Sequence, residues 1–111
     1  MSRVDQINEL LKHKIGEFIS KNIHFDGLIT ITYVECSPDL KNAIVAISVL
    51  PDNLFGTALR ALRRNTSQLA GYIKSTTKIR KVPKLHWTVD ATEKEAAVID
   101  AILKQIEEEE E

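Results

Sequence analysis

The sequence predicts an α+β fold in which a three-stranded sheet is covered on one face by helices. Three observations predict it. Residues 28–36 and 41–50 carry β-branched or continuously apolar runs joined by the turn triplet Ser37-Pro38-Asp39. A third short alternating run, 85–89, follows a proline stop. The segments around these strands repeat their apolar residues at helical spacing. The predicted order is α-β-β-α-α-β-α. A chain of 111 residues, 43% hydrophobic, is the size of one small domain with its own core.

Each element has a local cause. In residues 3–21, Val4, Ile7, Leu11, Ile15 and Phe18 line one helical stripe, widened by Leu10 and Ile19, and Ser2 is placed to cap it. Gly27 follows in a turn. Ile29, Ile31 and Tyr33 then alternate with Thr30 and Thr32. The short Ser37-Pro38-Asp39 connection makes the first two strands an antiparallel hairpin. The second strand, residues 41–50, is apolar nearly throughout, which places it inside the sheet. Pro51-Asp52-Asn53 ends it and offers a helix N-cap. Leu54, Phe55, Ala58, Leu59, Ala61 and Leu62 predict the next helix. Asn65-Thr66-Ser67 predicts a break and caps the helix that resumes with Leu69, Ala70, Tyr72 and Ile73. Leu85, Trp87 and Val89 form the third strand. Thr92 and Glu95 have capping-box spacing and open a last helix carrying Val98, Ile99, Ile102, Leu103 and Ile106. Residues 1–106 are expected to be one domain, and Glu107–Glu111 an acidic helix end or tail.

Charge is segregated along the chain. From Asn53 to Val89 there is no acid, while Arg60, Arg63, Arg64, Lys74, Lys78, Arg80, Lys81 and Lys84 are basic. The remaining residues hold seven Lys/Arg and all sixteen Asp/Glu, so the net charge is only −1. Fields act over roughly 8–10 Å at physiological salt, so this segment presents itself locally as a basic peptide. Its natural partner is a phosphate backbone.

Other function classes find no support in the residues. The single cysteine, Cys36, has no partner for an intramolecular disulfide and reads as a small core residue of a reduced protein. His13, His24 and His86 lack metal-ligand spacing. No phosphate loop, dinucleotide fingerprint or nucleophile elbow is present. The chain is therefore expected to be a non-enzyme with no cofactor, no metal and no small-molecule substrate. No apolar run is long enough to span a membrane.

The predicted order is that of the type II KH fold with an extra C-terminal helix. KH domains hold nucleic acid at a GxxG loop between two consecutive helices. Here the four glycines, Gly16, Gly27, Gly56 and Gly71, contain no pair at that spacing, and Asn65-Thr66-Ser67 stands in the loop's place. The missing loop counts against the alternative of a KH-like module for free single-stranded RNA. A small acylphosphatase-like enzyme would need an anion-cradling loop that is absent. A pure protein adaptor would have to meet the basic segment with an acidic partner.

The segment Ser37-Pro38-Asp39-Leu40-Lys41-Asn42-Ala43, with Val45 and Ser48-Val49-Leu50, resembles the ribosome-binding factor A family. Arg3-Val4, the run from Ile79 to Leu85, and Asp90 match the same family in order, over residues 3–106. The resemblance implies a bacterial-type cytoplasmic or organellar factor, associated with cold shock. It would bind the immature small ribosomal subunit and assist 16S rRNA maturation. It also implies a helix-kink-helix with a small-residue break in place of GxxG. That break falls on Asn65-Thr66-Ser67, where asparagine stands for the family's alanine and serine for its frequent glycine.

The candidate RNA-binding residues follow. Arg60, Arg63 and Arg64 share one helical surface by their spacing. Lys78, Arg80, Lys81 and Lys84 surround the start of the third strand, and Lys74 precedes them. Arginine suits bidentate phosphate contact, and lysine acts as a point charge. Asn65, Thr66 and Ser67 either donate to phosphate and sugar or serve only as caps. Trp87 and Tyr72 read as core rather than as stacking platforms. The expected partners are 16S rRNA and the small ribosomal subunit, bound by a monomer.

Overall fold

The structure, a computed structural model, describes residues 2–89 and Ile106. Helix α1 spans Arg3–Asn22 and starts at a reciprocal cap. Asp5 N–H donates to Ser2 Oγ at 3.1 Å, and Ser2 N–H donates to Asp5 Oδ2 at 3.3 Å. Leu11, Ile15, Phe18 and Ile19 form its buried stripe.

Strands β1 (Leu28–Cys36) and β2 (Asn42–Leu50) pair antiparallel. A bulge between Ile31 and Tyr33 sets Thr32 out of register, and its hydroxyl donates to Ala46 O at 3.1 Å. The turn between the strands is held by side chains. Asp39 Oδ1 accepts from Ser37 Oγ at 2.6 Å and from Lys41 N–H at 3.0 Å, which keeps the carboxyl below the usual carboxylate range. These bonds fix Leu40 at φ 60, a left-handed conformation that costs a non-glycine residue about 1–2 kcal/mol. Gly27 lies before β1 because nothing larger fits: a Cβ there would stand 2.3 Å from Leu50 O.

After β2 comes a single 3₁₀ turn at Asp52–Leu54, then α2 (Phe55–Arg64), α3 (Thr66–Thr76) and β3 (Lys84–Val89). No side chain of the expected Pro51-Asp52-Asn53 cap bonds the helix; the 3₁₀ turn leads straight into it. β3 pairs with β2 in parallel, giving the order β1-β2-β3. β2 is thus the central strand, as its apolar run predicts.

Helices α1, α2 and α3 cover the face carrying Val34, Cys36, Ala43, Val45, Ile47 and Val49. On the other face Ile44 is 1% exposed and touches Tyr33 and Ile106. Ile106 is helical, and the remainder of the expected last helix, with its Thr92–Glu95 cap, lies outside the described residues.

Two polar contacts tie α1 to its neighbours. Cys36 N–H, on the strand beside the helix, donates to the buried Asn8 Oδ1 at 2.8 Å. The Tyr72 hydroxyl of α3 donates to Glu17 Oε1, and the Tyr72 ring packs on Phe18 at 5.7 Å between centroids. The Tyr72 hydroxyl, with Lys14, Lys21 and His13 nearby, lowers the Glu17 pKa. A carboxyl with a lowered folded pKa contributes stability above its unfolded pKa and loses it as pH falls through the folded one. Acidifying from about pH 7 to about pH 3 is therefore expected to destabilise the wild type through this group. Tyr72→Phe should show a shallower acid-side loss in urea-unfolding midpoints; equal slopes in the two proteins would remove the pair from the account.

Candidate nucleic-acid interface

Arg63 and Arg64 occupy the last turn of α2, with Arg60 one turn earlier. Cations at a helix C-terminus face the negative end of the dipole, which offsets part of their mutual repulsion. Arg60 Nη2 lies 3.4 Å from Thr57 Oγ1. All eight basic residues of the acid-free segment are exposed, and none is ion-paired with a described carboxylate. The crossover keeps its charge in solvent.

The break between the helices is narrower than the sequence predicts. It is the single residue Asn65, at φ −101 and ψ 7, between α2 and α3. Its expected role as a side-chain cap of α3 is not what the structure shows. Asn65 Nδ2 instead donates backward to Ala61 O at 2.8 Å, and the Thr66 hydroxyl donates to Leu62 O at 2.8 Å. Both carbonyls also accept the Asn65 N–H, at 3.2 Å each, so the two side chains add second donors to the last turn of α2. The Asn65 carbonyl meanwhile accepts the Leu69 N–H at 2.9 Å, the first bond of α3. Of the triplet, Ser67 is exposed while Asn65 and Thr66 are half-buried and bonded internally.

Thr66 also links the break to the sheet. The Trp87 indole N–H of β3 donates to Thr66 Oγ1 at 3.2 Å. Trp87 packs against the core, as does Tyr72. Beside this bond Arg63, Thr66, Leu85, His86 and Trp87 line a small cavity of about 230 Å³. His86 Nε2 is bonded to the buried Asn42 Oδ1 at 2.9 Å.

A second concavity lies at the other end of α3. Lys78, Arg80 and Lys81 line it together with Arg3 of α1 and Lys41 of the β1–β2 turn. Lys84 N–H donates to Lys41 O at 2.9 Å, fixing the start of β3 beside that turn. Lys74 is exposed on α3 and lines neither concavity. Sequence reasoning missed Arg3 and Lys41 as members of this group. Each sits next to or near an acid, Asp5 or Asp39, so a count of charge along the chain passes over them. Among the described residues no cluster of His, Cys, Asp or Glu is arranged to hold a metal ion, and no helix is long and apolar enough to cross a membrane.

The profile of the family described as Ribosome-binding factor A matches residues 3–103. The chain belongs to the ribosome-binding factor A family. The ribosome-binding factor A of Chlamydia pneumoniae is 31% identical over 113 residues, covering 97% of this chain and 94% of the relative. The crystal structure of the family member from Thermus thermophilus superposes with a TM-score of 0.68 at 24% identity, covering 78% of this chain and 93% of that one. A homology model of the Thermus thermophilus factor, fitted into a cryo-electron microscopy map of its 30S complex, gives a TM-score of 0.64 at 24% identity. It covers 73% of this chain and 88% of that one. The fold is accordingly KH-like, with a hydrogen-bonded kink where KH domains carry GxxG.

Trp87 is the only tryptophan, so its emission reports on the kink. Thr66→Val keeps the shape but removes the acceptor for the indole N–H and the donor to Leu62 O. It is expected to lower stability by about 1–3 kcal/mol, two hydrogen bonds at a net ~0.5–1.5 kcal/mol each. Its emission maximum should shift from that of the wild type. An unchanged spectrum and unfolding midpoint would mean that the bond does not hold the kink.

Proposed function

We propose that the chain binds the immature small ribosomal subunit through its 16S rRNA and assists maturation of that RNA without catalysing a reaction. The observation that carries this reading is the acid-free crossover, whose eight cations all stand in solvent without a described carboxylate partner. Membership of the ribosome-binding factor A family and the likeness to a factor fitted into a 30S complex support it. The contact residues are Arg60, Arg63 and Arg64 on α2, Ser67 at the start of α3, Lys78, Arg80 and Lys81 before β3, and Lys84 at its first position. Lys74 adds to the field. Asn65 and Thr66 shape the surface through the kink and contribute to RNA contact less than their exposed neighbours.

Phosphate contacts position a protein without specifying sequence. Selectivity therefore comes from the shape of the RNA in the immature particle. The protein acts as a monomer in the cytoplasm, with residues 1–106 as one RNA-binding unit and Glu107–Glu111 as its acidic end. It occupies and holds one RNA conformation, an action that needs neither nucleotide nor metal. Misfolded RNA conformers are escaped more slowly on cooling, so the need for the factor is greatest in the cold.

Arg63→Glu combined with Arg64→Glu is expected to weaken binding to purified small subunits at least tenfold. Each lost phosphate contact should lower the slope of log affinity against log salt by about 0.7–0.9. Sedimentation with 30S particles over a salt series measures both. Wild-type affinity and slope in a folded double variant would take this surface out of the interface.

A further inference from the structure

The groove at the far end of α3 differs in kind from the arginine cluster on α2. Its cavity of about 680 Å³ falls within the ~300–1,000 Å³ range of small-ligand sites. Its cations are Arg3, Lys41, Lys78, Arg80 and Lys81, all exposed. Its floor is apolar: Ile7, Leu10, Leu40 and Ile79 are half-buried, and Pro83 is buried. Asp39 is the one acid among the lining residues, and its carboxylate is already engaged by Ser37 Oγ and Lys41 N–H.

A surface made only to meet a duplex backbone has no use for an apolar floor. Phosphates need donors and positive charge, and the stacked bases of a duplex stay inside it. An unpaired nucleotide needs both features. Its base loses water against apolar side chains, while the phosphates on either side meet cations. The groove is also continuous with the surface proposed to meet rRNA. The Lys84 N–H···O Lys41 bond joins its rim to β3, whose residues 85–87 line the cavity beside Arg63. That continuity favours the same polyanion over an acidic peptide.

We propose that this groove, between the N-terminal half of α1, the β1–β2 turn and the α3–β3 connection, receives one unpaired RNA nucleotide, with its base on Ile7, Leu10 and Ile79 and its flanking phosphates on Arg3 and Lys41. The inference rests on the rRNA-binding reading and adds a single-stranded component to it. Arg3 and Lys41 bring positive charge from outside the acid-free segment. They give the surface two separate footholds: a charge cluster at the kink, and a pocket that requires a base free of pairing.

The test uses the full chain and an eight-nucleotide single-stranded RNA of adenosine and uridine with 2-aminopurine at its centre. A duplex of the same strand is the control, and an equally long polyglutamate peptide is the competitor. Insertion of the base should change 2-aminopurine fluorescence on binding. Arg3→Ala with Lys41→Ala should weaken the single strand at least fivefold and lower its salt slope by about 1.4, two contacts at ~0.7 each. The same variant should leave duplex binding within twofold. An equal loss on duplex and single strand, or no fluorescence change, would overturn the nucleotide site. Displacement of the RNA by the peptide at lower concentration would overturn it in favour of a protein partner. The Arg63→Glu/Arg64→Glu variant separates this inference from the reading it rests on. If that variant binds 30S particles as wild type does, the rRNA surface fails. If it loses 30S binding while the Arg3/Lys41 variant keeps wild-type affinity for the single strand, the groove alone fails.

Discussion

The parallel pairing of β3 with β2 is the constraint on which the rest of the molecule depends. Antiparallel strands can be joined by a tight turn, as β1 and β2 are. A parallel neighbour requires the chain to travel back along the sheet before it pairs. That return is the 3₁₀ turn, α2, the kink and α3. Its apolar side chains, Ala58, Leu62, Leu69 and Ile73, close the core over β2. Its other faces must stand in water, and there the chain places the cations of its acid-free segment. The same crossover thus completes the core and presents the charge.

The kink divides the crossover into two short helices, each with its own buried pair: Ala58 and Leu62 on α2, Leu69 and Ile73 on α3. Breaking the helix at Asn65 lets both halves lie over the core. The break is stabilised by side chains that return to α2 and by a hydroxyl that accepts from Trp87 on β3. A glycine-rich loop at this place leaves its backbone open to a ligand. Here the half-buried side chains are occupied with holding the backbone. In the proposed RNA-binding role, contact falls to the exposed residues on either side: arginines before the kink, and lysines and Arg80 after α3.

Elements with strong periodicity were legible in the sequence. The stripe of Leu11, Ile15 and Phe18 and the apolar run of β2 each have one physical reading, and each lies where that reading puts it; the helix expected to run to the stop at Pro83 ends earlier, at Thr76. The acid-free segment was legible as a surface, because eight unpaired cations cannot be buried. The bonding at Asn65 was not. Asparagine can cap the helix after it through its Oδ1 acceptor or the helix before it through its Nδ2 donor, and only the path of the backbone selects the carbonyl of Ala61. The grouping of Arg3 and Lys41 with Lys78, Arg80 and Lys81 was hidden for a different reason. It arises from the packing of α1 against the hairpin turn and the α3–β3 connection, contacts between residues far apart in sequence.

Hydrogen–deuterium exchange of the whole protein, free and bound to purified immature 30S particles, tests the central claim most directly, because it reads every backbone segment at once. The account predicts slowed exchange in residues 60–67 and 77–84 and in the β1–β2 turn, with α1 beyond its first turns and the outer edge of β1 unchanged. Slowed exchange confined to α1 and the β1 edge, with the crossover exchanging as in the free protein, would contradict it.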